Sequence, residues 1–256
     1  MYILRLNNQN RFWENKQLMI TIFIMIAFLH MQFAGTGWFY RYEAYLVGLG
    51  IFIMTILQNE CLPDKTKIKI NNSLIAMYIA WALLFCLLIF PLIKRGLMAL
   101  VEIPQAAKNI YEQQYQMGLF VRKFYQGKVL VLNDIGAVNY FADIKTLDLW
   151  GLGSMETAKL KVQKMFTAEN IEGVVKEKGG SIAIIYDTWF VQQNKMLASW
   201  IKVGQWKILH NTVCGGDTVS FYAVDPSEKN NLIKNLKTFS FYLPKDVEQS
   251  GIYAEM

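Results

Sequence analysis

Leu74 to Ile93 reads LIAMYIAWALLFCLLIFPLI, twenty residues without a charge. At about 1.5 Å per residue, a helix of this length matches a hydrocarbon core of about 30 Å, so the stretch predicts a transmembrane helix. A buried helix of a soluble core is the competing reading. Pro91 sits one turn from the end, where a kink or a stop is least damaging. Lys94 and Arg95 mark the interface that follows.

Toward the N-terminus a first span is predicted over about 17–34, preceded by Arg5, Arg11 and Lys16. His30 and Gln32 fall in its last turns, which is unfavourable unless they face other helices or headgroups. A cleaved signal peptide is the rival, since Ala34, Gly35 and Gly37 follow the apolar run. The second span, about 44–57, is shorter and could be re-entrant. Its start holds Trp38, Phe39, Tyr40, Tyr42 and Tyr45, which suit an interfacial belt, and Gly48 and Gly50 allow close helix contact. The third span is 74–93. Arg5, Arg11 and Lys16, together with Lys65, Lys67 and Lys69, place the N-terminus and the second loop in the cytoplasm by the positive-inside rule. The loop between the first two spans has only Arg41. Three spans then leave the C-terminal domain outside; Lys94 and Arg95 oppose this, but long domains translocate with little regard to charge. The expected location is the cytoplasmic (inner) membrane.

The 256 residues are 54% hydrophobic, with a formal charge of +6 and a pI near 9.0. Much of that positive charge flanks apolar segments, where it meets anionic headgroups. No dense basic run with interleaved aromatics occurs, which argues against nucleic-acid binding. Of Cys61, Cys86 and Cys214 only the last lies beyond Arg95, so that region has no internal disulfide. No His or Cys pair has metal-ligand spacing, and neither a metal nor a cofactor is predicted.

Residues 1–95 thus read as a membrane region and 96–256 as one soluble domain. Helix is predicted from Gly96 to about Tyr125, with Pro104 suited to an early turn. Lys128–Leu132, Thr146–Leu149 and Ser181–Tyr186 read as short buried strands. Met155–Lys178 reads as two helices broken near Thr167 and stopped by Gly179-Gly180. Phe190–Val203 reads as a helix, Trp206–Thr212 and Thr218–Val224 as a hairpin around Cys214-Gly215-Gly216-Asp217, and Pro226 as the start of a final polar helix. The alternation predicts a small α/β sandwich after three transmembrane α-helices. Parallel strands place ligands at their C-terminal ends, where Asn133, Asp134, Asp148 and Asp187 stand. Asp and Asn also favour such loops for turn reasons alone.

No phosphate loop, nucleophile elbow, zinc-protease or kinase motif is present, and Gly151-Leu152-Gly153 is too short for a dinucleotide fingerprint. Asp134 and Asp148 could pair, but sequence does not fix their distance. The densest chemical stretch is Gly37-Trp38-Phe39-Tyr40-Arg41-Tyr42-Glu43. Arg41 could pair with Glu43 or fork onto a lipid phosphate, and Trp38 and Tyr42 could stack on a sugar or anchor the interface.

Two stretches carry a family resemblance. One is His30-Met31-Gln32-Phe33 with Gly37 to Leu46; the other is Asn133-Asp134-Ile135-Gly136-Ala137 and Tyr140-Phe141, with Asp148-Leu149 and Gly151-Leu152. Together they resemble the C-terminal part of bacterial polytopic GT-C glycosyltransferases. The resemblance implies a membrane enzyme moving sugar from a polyprenyl-phosphate carrier to a glycan acceptor outside the membrane. The family's catalytic carboxylate lies in the first outward loop of a much longer membrane region. Here the loop before the second span has no Asp, and Glu43 belongs to another part of the pattern, so no catalytic residue carries over. The chain reads as the tail of such an enzyme, inactive alone: a truncated gene, a fragment, or a piece that works in membrane lipid beside a catalytic partner chain. Lipid-carrier or sugar contacts fall to Trp38, Arg41, Tyr42 and Glu43, and a possible domain site to Asn133, Asp134 and Asp148. The alternative is a non-enzymatic membrane-anchored binding or assembly protein.

Overall fold

The computed structural model describes residues 16–34, 41–61 and 72–255. Trp38, Phe39, Tyr40 and the Lys65–Lys69 loop lie outside them, as do Arg5 and Arg11. The chain divides into two units, 1–99 and 100–256.

In the first unit, helix α1 spans Lys16–Phe33 and α2 spans Ala44–Cys61; α3, Asn72–Ile110, begins there and contains the unit boundary. Two runs, Lys16–Phe33 and Tyr78–Phe124, are long and apolar enough to cross a membrane; the apolar stretch Ala44–Leu57 is shorter. None of the apolar window of the second run is buried. Leu83, Leu87 and Phe90 are exposed, whereas a helix inside a soluble core would bury such a stripe. Pro91 does not end the helix, and Pro104 lies in the interior of α3 rather than in a first turn. Each proline removes one backbone bond, and the apolar helix formers around it carry the helix through.

Helices α1 and α2 meet where the sequence places small and polar residues. Added Cβ atoms show the difference between the glycines: at Gly50 one would lie 3.3 Å from the Phe23 ring, whereas at Gly48 nothing lies within 4 Å. His30 is buried, and its Nδ1 is 2.8 Å from the Tyr45 hydroxyl.

The second unit is a three-layer α/β domain. After α3 a π-helical turn, Tyr111–Tyr115, leads into α4, Gln116–Phe124. Then come β1 (Val129–Leu132), α5 (Gly136–Phe141), β2 (Lys145–Asp148), α6 (Met155–Val162), α7 (Ala168–Lys178) and β3 (Ile182–Ile185). A 3-10 segment at Asp187–Gln193 and α8 (Asn194–Ser199) lead to β4 (Ile201–Lys207) and β5 (Thr218–Ala223). Helix α9 (Lys229–Phe239), β6 (Glu248–Ser250) and α10 (Ile252–Glu255) follow. The sheet order is β2-β1-β3-β5-β4-β6, with β1 parallel to β2 and β3 and the remaining pairs antiparallel.

Side-chain alternation divides the core in two. Leu130, Leu132, Ile182, Ile184 and Phe221 face α4, α5 and α9, where Phe120, Val138, Leu232 and Leu236 are fully buried. Val131, Ala183 and Tyr222 point to the other face, against Ile171 and Val175 of α7. Local signals set several boundaries. The Thr167 hydroxyl accepts from the Asn170 amide and caps α7, and Gly179 ends it at φ +72°.

The sequence reading needs correcting in three places. The expected helix over Phe190–Val203 is confined to Asn194–Ser199: Phe190 has non-helical φ/ψ within the preceding 3-10 segment, and Val203 is a fully buried residue of β4, because the Trp206 strand begins earlier than its alternation suggests. Helix α9 is neither final nor wholly polar: Leu232, Leu236 and Phe239 form a buried stripe. Beyond it, β6 closes on β4, and the Trp206 indole N–H donates to Tyr253 on α10.

Candidate functional site

Strand β1 leads to β2 on one side, and β3 leads to β4 on the other. The adjacent C-terminal ends of β1 and β3 are therefore a topological switch point, where open α/β sheets leave a crevice for ligands. The loops there carry Asn133, Asp134 and Tyr186, and the neighbouring β2 ends in Asp148. The structure thus brings together the three residues predicted for the domain, Asn133, Asp134 and Asp148, and gives them three different roles.

Asn133 ties the strand ends: its Oδ1 accepts from the Tyr186 amide at 3.1 Å. Its side-chain Nδ2 is buried and has no partner among the described residues. Asp148 is 1% exposed and organises the next loop. Its Oδ1 accepts from the Trp150 amide, and its Oδ2 from those of Leu152 and Gly153, all at 2.7 Å. Its own amide donates to Ser154 Oγ. Those bonds explain the Gly-Leu-Gly spacing without a nucleotide. Gly151 adopts φ +84°, and a Cβ on Gly153 would lie 2.9 Å from Ile135.

Asp134 is the less enclosed of the two carboxylates. It is half-buried, and burial together with the Asp148 charge pushes its carboxyl above the usual range. The Gly136 amide, Gln114 Nε2 and the Tyr186 hydroxyl act in the opposite sense. Gln114 Nε2 donates to Asp134 Oδ2 at 2.9 Å and to the Tyr186 hydroxyl at 2.5 Å. That hydroxyl donates in turn to Gln113 Oε1 at 2.7 Å, and Gln113 Nε2 donates to the Gly216 and Asp217 carbonyls. Burial raises the Tyr186 pKa, so the phenol serves as a neutral relay. Gln114 Oε1 is buried without a partner among the described residues. A cavity of about 340 Å³ opens on the Asp148 side, lined by Ile135, Asn139, Asp143, Thr146, Asp148 and Gly153; Asn133, Asp134, Gln114 and Tyr186 do not line it.

Gln113, Gln114 and Tyr186 belong to the site although sequence patterning did not select them. The π-turn explains why: Glu112, Gln113 and Gln114 are consecutive and all buried, which ordinary helical spacing does not predict. Gly215 and Gly216 press against the Tyr186 ring, with added Cβ atoms at 2.8 and 3.0 Å from it. Asp187, also placed at a strand end, is occupied elsewhere. It accepts from Lys202 Nζ and Ser220 Oγ through Oδ2 and from the Tyr222 hydroxyl through Oδ1.

The membrane-side candidates separate differently. Arg41 donates to the Tyr42 hydroxyl at 3.3 Å and lies 5.1 Å from the centre of its ring. Glu43 pairs with Arg95 of α3, a partner 52 residues away that local reading did not supply. No group of metal-ligand side chains occurs among the described residues.

A family model described as a domain of unknown function (DUF8728) matches residues 108–222. The matched stretch runs from the last turn of α3 to β5 and includes the π-turn and every residue of the switch-point network. No curated protein and no solved structure matches the chain.

Proposed function

We propose that this chain is a membrane-anchored carbohydrate-binding module of a GT-C-like glycan-transfer system, with its α/β domain outside the inner membrane. In this reading three spans, 17–34, 44–57 and 74–93, cross the bilayer. The domain holds a hydroxyl-rich ligand, such as a glycan acceptor, at the switch point. A partner chain supplies the transfer chemistry, because Asp148 is committed to three backbone amides and no catalytic residue of the family's pattern carries over to this chain.

One observation carries the ligand class. The half-buried Asp134 carboxylate stands at the switch point, held by Gln114 beside the Tyr186 hydroxyl. A carboxylate can accept from adjacent hydroxyls through its two oxygens, which suits a hydroxyl-rich ligand. The test is titration of the full chain in neutral detergent with oligosaccharides, followed by ligand-observed NMR. Binding is expected to weaken about tenfold or more in Asp134→Ala, the loss of a charged hydrogen bond. Absence of saccharide binding, or binding that Asp134→Ala leaves unchanged, sinks the reading.

The saturation of Asp148 also favours a second reading, a non-enzymatic assembly protein. A stable protein partner purified without any polyprenyl-phosphate carrier would support it over the first. Sidedness needs an introduced reporter: Cys214 is buried, and its thiol is pushed up to about 12. A Phe241→Cys variant, at a position 88% exposed, should label in intact cells. Labelling only after lysis would reverse the orientation.

A further inference from the structure

Another concavity of the α/β domain has a different chemistry. A groove of about 570 Å³ is lined by Tyr111, Tyr115, Leu119, Arg122, Lys123 and Tyr242, and no acidic residue lines it. The Tyr111 and Tyr115 rings stack with centroids 5.6 Å apart and planes 22° from parallel. Phe141 braces Tyr115 edge-on at 5.0 Å. Lys123 Nζ sits 3.9 Å from the centre of the Tyr242 ring, which holds the ammonium in place.

Arg122 and Lys123 are exposed and occupy the last turn of α4. Among the described residues neither pairs with a carboxylate. A cation in a last turn complements the helix dipole, which accounts for its charge but not for the aromatic walls beside it. The π-turn makes those walls: Tyr111 and Tyr115 bound the stretch whose middle residues, Glu112 to Gln114, are buried in the domain.

We propose that this groove binds a phosphate ester. The phosphate sits against the Arg122 guanidinium, which can fork onto two oxygens, and the Lys123 ammonium. The organic part of the ester lies along the tyrosine faces. Two sources share this chemistry, the headgroup of a phospholipid and a soluble phosphorylated sugar. The site is separate from the switch-point residues and stands whether or not a saccharide binds there.

The test is calorimetric titration of the full chain in neutral detergent with inorganic phosphate, a hexose 1-phosphate and dihexanoyl phosphatidylglycerol. At least one ester should bind saturably and more tightly than inorganic phosphate. Affinity should fall about tenfold or more in R122Q/K123Q, where charge-assisted bonds are lost. Tyr242→Ala should weaken the ester more than inorganic phosphate. Saturation by the lipid alone assigns a headgroup, and by the sugar phosphate alone a soluble ligand. No saturable ester binding, ester binding no tighter than that of inorganic phosphate, or an R122Q/K123Q variant that binds like the parent overturns the proposal.

Discussion

The two units use the same apolar residues to opposite ends. In the first, Phe28 is 62% exposed and Leu87 71%; in the second, Phe120, Leu130 and Trp206 are 0% exposed. Composition alone does not separate these cases, because both units are rich in Leu, Ile and Phe. Pattern does. The first unit's apolar residues run on around every side of their helices, whereas the second unit's alternate on strands or stripe its helices, and each stripe has a partner face. Apolar surface without a protein partner is stable only where the surroundings are apolar too, which is the role proposed for the bilayer.

The largest effect that can test this contrast is a paired deletion. Phe120 packs against Phe124, Tyr125, Trp206, Phe221 and Phe239, so Phe120→Ala should destabilise the domain by about 3–5 kcal/mol. Phe28→Ala should leave the domain's unfolding where it was. Chemical denaturation followed by near-ultraviolet circular dichroism reads both, and equal effects would break the contrast. Next in size is Asp148→Ala, which strips three backbone amides of their acceptor and should cost about 3 kcal/mol. Hydrogen exchange should show the Trp150, Leu152 and Gly153 amides losing protection first. Thr167→Ala removes the α7 cap and should lower the midpoint of domain unfolding by the equivalent of about 1 kcal/mol.

The smallest effect is electrostatic. Because the Asp134 carboxyl is raised, chiefly by burial, the native state holds its proton more tightly than the unfolded chain. Its contribution is therefore most favourable below the ordinary carboxylate range and is lost as pH climbs through the raised native value. Glu156, Asp225 and Asp246 are shifted the other way and give the opposite slope. Subtracting the stability–pH curve of Asp134→Asn from that of the parent isolates the Asp134 slope. A difference curve that is flat, or that rises with pH, would remove Asp134 from the network as described.

Much of the fold was legible because short-range chemistry decides it. Thr167, Gly179 and the β-branched runs at Lys128–Leu132 and Ser181–Tyr186 mark their own boundaries. The candidate site was legible only as an address. Strand ends pointed to Asn133, Asp134 and Asp148, but how each carboxylate is held depends on amides two to five residues on and on glutamines from a distant turn. Gln113 and Gln114 fall inside the helix expected from Gly96 to about Tyr125, and a single extra residue in a helical turn leaves no trace in composition. Long-range partners were equally hidden: Glu43 finds Arg95 rather than Arg41, and β6 pairs with β4 across the whole of β5 and α9.

The π-turn also sets the phase of the helix that contains it. Upstream, Asn109 is fully buried and bonds the Leu209 carbonyl and the Thr212 amide; downstream, Phe120 is fully buried in the core. In a regular helix each residue advances about 100° around the axis, so the extra residue between these two anchors acts as a rotary offset. Deleting one residue from Tyr111–Tyr115 would leave an unbroken helix of favourable sequence, yet it would turn either Asn109 or Phe120 out of its seat. The segment is thus intolerant of a change in length.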